Sequence, residues 1–227
     1  MDLLNKFKKV VKHNFKDSPS IENPYSDGNN CLKIIVDNWD IENQERYNIF
    51  AEIIKESQKY TDPLHYLACA YACHYSKVEW RKTAIEYFEK YLLDPVPCSV
   101  SSFPLYIIYS DLGTDYEAEY DFNNAEKCYK SSIDLQTRHY HSFGEIKGQC
   151  DAFPQEIKLG RLYLKIGTQC ALDYWKSLME YEEYKKGNPN VSGFRHSVDV
   201  EYRKALEKHK KGYVYKPRNK RRSVNYD

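Results

Sequence analysis

One pattern of small and bulky side chains constrains this chain more than any other feature. It runs Ala72, Tyr75, Ala84, Phe88 and returns as Gly113, Tyr116, Ala125, Tyr129, with intervals of three, nine and four residues both times. Two helices that turn back on each other approach closely only where one offers Gly or Ala, and large residues a turn away fill the flanking space. The repetition therefore predicts two helix pairs built to one plan. A third copy, Gly160, Tyr163, Ala171, Trp175, keeps the outer intervals and shortens the middle one to eight.

Start and stop signals agree with this division. Thr61-Asp62-Pro63 opens the first pair, because Asp or Thr caps a helix and Pro tolerates its first turn. Asp94-Pro95-Val96-Pro97 closes it, and Ser102-Phe103-Pro104 opens the second. The predicted units are about 63–95, 104–135 and 154–186, with connections at 94–103 and 136–152. Upstream, Leu32, Ile35, Val36 and Trp39, then Tyr47, Phe50, Ile53 and Ile54, predict helices within 31–60. Val198, Tyr202, Ala205, Leu206 and His209 share one face and predict a capping helix over 194–211. Leu3, Leu4, Phe7, Val10, Val11 and Phe15 predict an amphipathic helix over 2–16, for which docking on the helices after it is preferred over resting on an anionic membrane. Residues 17–30 read as a loop, so 1–30 form an N-terminal segment, 31–212 the repeat domain and 213–227 a basic, flexible tail.

The stretches Tyr71-Ala72-x-x-Tyr75…Ala84-Ile85-Glu86-Tyr87-Phe88…Asp94-Pro95 and Leu112-Gly113-x-x-Tyr116…Asp121-Phe122-x-x-Ala125-x-x-x-Tyr129 resemble the tetratricopeptide repeat (TPR). The resemblance implies an all-α fold: antiparallel helix-pair repeats in a short TPR-like solenoid with helical caps. That repeat is about 34 residues long. Here Ala72 to Gly113 is 41 and Gly113 to Gly160 is 47, so the surplus lies in longer helices or in the connections. In TPR proteins the first helix of each unit lines a concave groove that binds peptides or protein surfaces. The resemblance carries that role onto Tyr66, Cys69, Cys73, Ser76 and Lys77 in the first unit. It carries it onto Ile107, Ser110, Thr114 and Glu117 in the second, and Ile157, Arg161 and Lys165 in the third. Chaperone-tail binders of this family hold a terminal carboxylate with Lys, Asn and Arg. Cys, Ser, Thr and Ile fill most of those places here, so no such clamp is expected.

The remaining chemistry argues for binding rather than catalysis. There is no Gly-rich phosphate loop, His-Glu-x-x-His or Gly-x-Ser-x-Gly, and no enzyme is expected. His65, Cys69 and Cys73 stand at steps of four, a spacing a soft metal accepts, but a rigid helix usually supplies only two ligands. Packing of small side chains is the preferred reading, with no metal or cofactor. His139 and His141 flank Tyr140 with Glu145 near, no nucleophile accompanies them, and the stretch reads as a contact loop. No run of about 18 apolar residues predicts a membrane span, and no export signal is recognised. Seven irregularly spaced cysteines without a Cys-x-x-Cys pair then point to reduced thiols and a cytoplasmic setting.

The net charge of +1 conceals polarity. Residues 1–17 carry five Lys against two Asp, and residues 203–222 carry ten Lys and Arg against Glu207. The stretch between is acidic, which favours a partner with a basic surface. Lys216, Arg218, Lys220, Arg221 and Arg222 follow Tyr213 and Tyr215, and basic residues beside aromatics suit nucleic acid. The functional expectation is an adaptor or sequestering regulator holding a protein or peptide. The alternative is a nucleic-acid-linked regulator acting through the tail. The 22 tyrosines are compatible with self-association.

Overall fold

A computed structural model describes residues 26–38, 43–96, 104–142, 154–180 and 192–217. The predicted helix over 2–16 and tail residues Arg218, Lys220, Arg221 and Arg222 lie outside the described residues. Among the described residues every regular element is helical: α1 Ser26–Asn38, α2 Asn43–Ser57, α3 Pro63–His74, a 3-10 turn Val78–Trp80, α4 Arg81–Leu93, α5 Leu105–Ala118, α6 Phe122–Ser142, α7 Pro154–Ile166, α8 Thr168–Met179 and α9 Ser192–Lys210. None is long and apolar enough to cross a membrane. The chain divides into two compact units, residues 1–128 and 129–227.

In the first unit α3 is the central rod. It starts where the sequence signals a start: Asp62 is extended (φ −103°, ψ 155°) and its carboxylate accepts the His65 N–H at 3.2 Å, with Pro63 in the first turn. Leu64, Leu67, Ala68, Cys69, Ala70, Tyr71, Ala72 and Cys73 are fully buried, because α1, α2 and α4 all pack on α3. The Phe88 ring of α4 meets Tyr71 edge-on, centroids 5.0 Å apart. α4 stops at Leu93, where Asp94 precedes Pro95 and is pushed out of helical geometry (φ −146°, ψ 71°). α1 begins at Ser26, inside the stretch read as a loop. Burial of Cys31, Leu32 and Ile35 in the core overrides the weak helix propensity of Asn29 and Asn30.

α5 opens after Pro104 and closes in a left-handed turn. Tyr120 has φ 67°, its N–H bonds to Glu117 O at 3.1 Å, and the Asp121 N–H reaches back to Tyr116 O at 2.9 Å. α6 runs past the predicted end of its unit at 135. From Phe122 to Ser142 the sequence has neither Gly nor Pro, and Arg138 bonds Asp134 one turn back at 2.7 Å, so nothing stops the helix. His139 and His141 therefore lie on the last turn of α6, not in a loop.

Within the first unit α3 and α5 share a register. The Tyr71 hydroxyl donates to Asp111 Oδ2 at 3.3 Å and His74 Nδ1 lies 2.8 Å from Asp115 Oδ2, pairs 40 and 41 residues apart. The small residues Ala72 and Gly113 are 41 apart. The spacing read from the sequence is the spacing at which the two helices touch.

In the second unit Gly167 alone separates α7 from α8, and the two pack together. Gly160 stands seven residues before Gly167 and Trp175 eight residues after it. A Cβ placed on Gly160 would sit 2.0 Å from the Trp175 ring, so the indole occupies the space glycine leaves. Val198 and Ala205 of α9 are buried, with Tyr202 and Leu206 packed beside them, whereas His209 of the same predicted face is exposed. α9 bonds α7 and α8 at the same offsets: Arg161 to Glu201, 40 residues on, and Thr168 to His209, 41 on.

Corresponding positions of the three recurring sequence stretches have the same burial. Ala72, Gly113 and Gly160 are buried; Tyr75, Tyr116 and Tyr163 are half-buried; Ala84, Ala125 and Ala171 are buried; Phe88, Tyr129 and Trp175 are buried.

Candidate partner-binding clefts

The residues carried over as groove-lining divide sharply. Cys69 and Cys73 are 0% exposed and Ser110 is 2% exposed. Their side chains are therefore not presented at a surface; α1, α2 and α4 all pack on α3, which carries Cys69 and Cys73. The Cys73 thiol is raised far above its usual value by its bond to Cys69 and by burial, so it stays protonated. Ser76 Oγ bonds back to Ala72 O at 2.5 Å and Thr114 Oγ1 to Ser110 O at 3.0 Å, each serving its own helix. Tyr66 is half-buried beside Tyr87, and Lys90 Nζ lies 5.9 and 4.5 Å from their ring centroids. Lys77 is exposed, its Nζ 5.8 Å over the Tyr47 ring. Ile107 and Glu117 are half-buried.

His65, Cys69 and Cys73 are not brought together as ligands. Asp62 engages His65 Nδ1 and Tyr60 stacks on its ring at 4.2 Å. Among the described residues no group of three His, Cys, Asp or Glu side chains is placed to hold a metal ion.

Sequence reasoning missed the polar seam between α3 and α5. Tyr71, Tyr75, Asp111 and Asp115 form it around His74, and both tyrosine hydroxyls are raised by burial and by the aspartates. The signal was present: two aspartates at i and i+4 on α5, one repeat interval beyond Tyr71 and His74.

Clefts open between helices among the described residues. The first, about 710 Å³, lies among α4, α5 and the start of α6. Leu92, Leu93, Leu112, Tyr116 and Cys128 give it an apolar lining, with Glu86, Glu89, Lys90, Asn124 and Lys127 also contributing. Leu93 is 86% exposed. The Tyr116 hydroxyl donates to Glu89 Oε1. Burial, with Glu89 and Asp121 nearby, pushes the Cys128 thiol up to about 12, so it enters as a neutral, apolar group. The second cleft, about 480 Å³, lies between α7 and α9. Pro154, Ile157, Lys158 and Arg161 line one side; His196, Ser197, Val200, Glu201 and Lys204 line the other. Two of the predicted residues, Ile157 and Arg161, are therefore on a cleft. Lys165 is half-buried elsewhere, its Nζ 5.6 Å over the Tyr215 ring.

Glu201 is 8% exposed and is held by Arg161 Nη2 at 2.9 Å and Lys204 Nζ at 3.1 Å. Burial alone would raise its carboxyl, but the two cations outweigh that and hold it below the usual glutamate range. At the tail's base Lys208 sits 4.7 Å over the Tyr213 ring, so Tyr213 and Tyr215 both already face lysines of this chain. Lys216 is exposed.

Comparison with protein-family models, with curated proteins and with solved structures finds no match.

Proposed function

We propose that this chain is a non-enzymatic binding module, an adaptor or a sequestering regulator, that holds a protein or peptide on a TPR-like helical surface. The observation that carries the reading is the burial pattern shared by the three recurring sequence stretches. It uses the interior for interlocking and leaves seams between helices as the places a partner can enter. The apolar cleft of the first unit fits this role, with Leu93 open to solvent and a charged rim around it. Free cysteines at positions 31, 69, 73, 128 and 170 accord with a cytoplasmic, reducing setting.

A photo-crosslinking residue at Leu93 tests the reading in lysate, with the same group at Lys210 as control. The expected outcome is one or a few discrete protein adducts at position 93 and none shared with position 210. Identical labelling at both positions contradicts it.

Nucleic acid is the second reading, favoured by the charge of residues 129–227: 20 Lys and Arg against 12 Asp and Glu, a net of +8. If the tail carries it, removing residues 216–227, with their five Lys and Arg, lowers the slope of log K against log salt by up to about 4.5, near 0.9 per lost phosphate contact. Engagement of Tyr213 and Tyr215 by lysines of the same chain favours the protein-binding reading, since stacking on bases would displace those contacts.

A further inference from the structure

We infer that the Leu93 cleft of the first unit takes a basic, apolar segment of a protein partner, in which lysine or arginine side chains flank leucine-like ones. That ligand deepens the binding-module reading, on which its assignment rests. The charges at the cleft differ in what they already hold. Glu86 and Glu89 are exposed, and among the described residues neither carboxylate is ion-paired; Glu89 accepts the Tyr116 hydroxyl, a neutral donor. The lysines beside them are engaged. Lys127 Nζ donates to Asn124 Oδ1 at 3.4 Å. Lys90 Nζ lies 4.5 and 5.9 Å from the centroids of the Tyr87 and Tyr66 rings.

The tyrosine pair is what leaves the carboxylates open. Lys90 stands one turn after Glu86, the spacing at which the two would pair on a helix surface. Its ammonium sits instead on two rings of α3 and α4 whose centroids are 6.0 Å apart. A ligand cation therefore meets two carboxylates that hold no cation, whereas a ligand anion meets lysines already occupied. The wider field points the same way. Residues 1–128 carry 14 Lys and Arg against 21 Asp and Glu, and a net of −7 draws a cation while repelling carboxylate and phosphate alike. Leu92, Leu93, Leu112 and Cys128 line much of the remaining cleft, and Leu93 is 86% exposed. Apolar side chains thus supply most of the affinity and the carboxylates select the partner. The volume, about 710 Å³, lies within the range of roughly 300–1,000 Å³ typical of ligand clefts.

The test titrates full-length protein, by fluorescence anisotropy, with labelled peptides of one length built from Leu and Lys, Leu and Gln, Leu and Glu, or Ser and Lys, and with a single-stranded oligonucleotide. The Leu–Lys peptide is expected to saturate, about fivefold tighter than Leu–Gln and at least twentyfold tighter than the other three probes. Glu86→Gln combined with Glu89→Gln, which keeps an acceptor for Tyr116, should erase the advantage over Leu–Gln. Lys90→Met keeps an apolar stem beside the rings and removes a neighbouring cation. It should tighten Leu–Lys about threefold without moving Leu–Gln, a split that a merely structural Lys90 would not produce. Failure of Leu–Lys to saturate overturns the assignment, as does equal or tighter binding of Leu–Glu, Ser–Lys or the oligonucleotide. So does an advantage that survives the double substitution in protein that melts like wild type, or no gain from Lys90→Met. A partner crosslinked at Leu93 whose capture ignores these substitutions overturns the basic ligand and leaves the binding-module reading intact.

Discussion

Tyr120 and Gly212 do the same work with very different side chains. Each ends a helix in the left-handed region, at φ 67° and 63°, and each is followed by an N–H that bonds five residues back, Asp121 to Tyr116 and Tyr213 to Lys208. Glycine meets no Cβ penalty there, whereas tyrosine does. Tyr120→Gly should therefore stabilise by about 0.5 kcal/mol and Gly212→Ala should destabilise by about 1 kcal/mol, both measured by denaturant unfolding. Asp62 is a second local determinant. Burial raises its carboxyl, but the His65 hydrogen bond and charge bring it below the usual aspartate value. A lowered folded-state value means the ionised cap adds stability above the unfolded pKa of about 3.9 and loses it as pH falls through the lowered value. Asp62→Ala should cost about 1 kcal/mol near neutral pH, while Asp62→Asn keeps the cap bond and flattens the acid end of the stability profile. An unchanged profile in Asp62→Asn would remove the ionised cap from the account.

At the scale of elements, the interlock at Gly160 is the sharpest feature. Gly→Ala in a helix ordinarily gains about 1 kcal/mol. Here the new methyl would stand 2.0 Å from Trp175, so sterics should win, with a net loss of about 2 kcal/mol. In a Trp175→Leu background the clash is gone and the same substitution should become neutral or stabilising, a reversal that thermal melts of the four proteins would reveal. This element was legible beforehand because it depends on which small and large residues recur. So were the Asp62-Pro63 start, the Asp94-Pro95 stop and the buried face of α9. The enclosure of α3 was not read, although Leu64 through Cys73 is apolar almost all round, which marks a helix covered on every side rather than one lining a groove. The run of α6 to Ser142 was missed because a unit length was imposed where no Gly or Pro enforced it. The α7/α9 cleft was half visible. Ile157 and Arg161 came from the repeat, but Ser197, Val200, Glu201 and Lys204 form a stripe beside the buried one on α9, and only packing shows that it faces α7.

For the whole molecule, charge is distributed by unit. Residues 1–128 carry 14 Lys and Arg against 21 Asp and Glu, a net of −7, and residues 129–227 a net of +8. A partner engaging the second unit should therefore bind with a salt-sensitive on-rate, whereas one held at the Leu93 cleft should depend mainly on apolar area and so on off-rate. On the proposed function a protein partner is held at the Leu93 cleft. The most direct measurement of this is a calorimetric titration of the purified chain with the purified protein crosslinked at Leu93, repeated with Leu93→Asp. The wild type should bind saturably and Leu93→Asp with at least a tenfold weaker Kd, while its Tm stays unchanged because that side chain is exposed. Equal affinity for both proteins would contradict it.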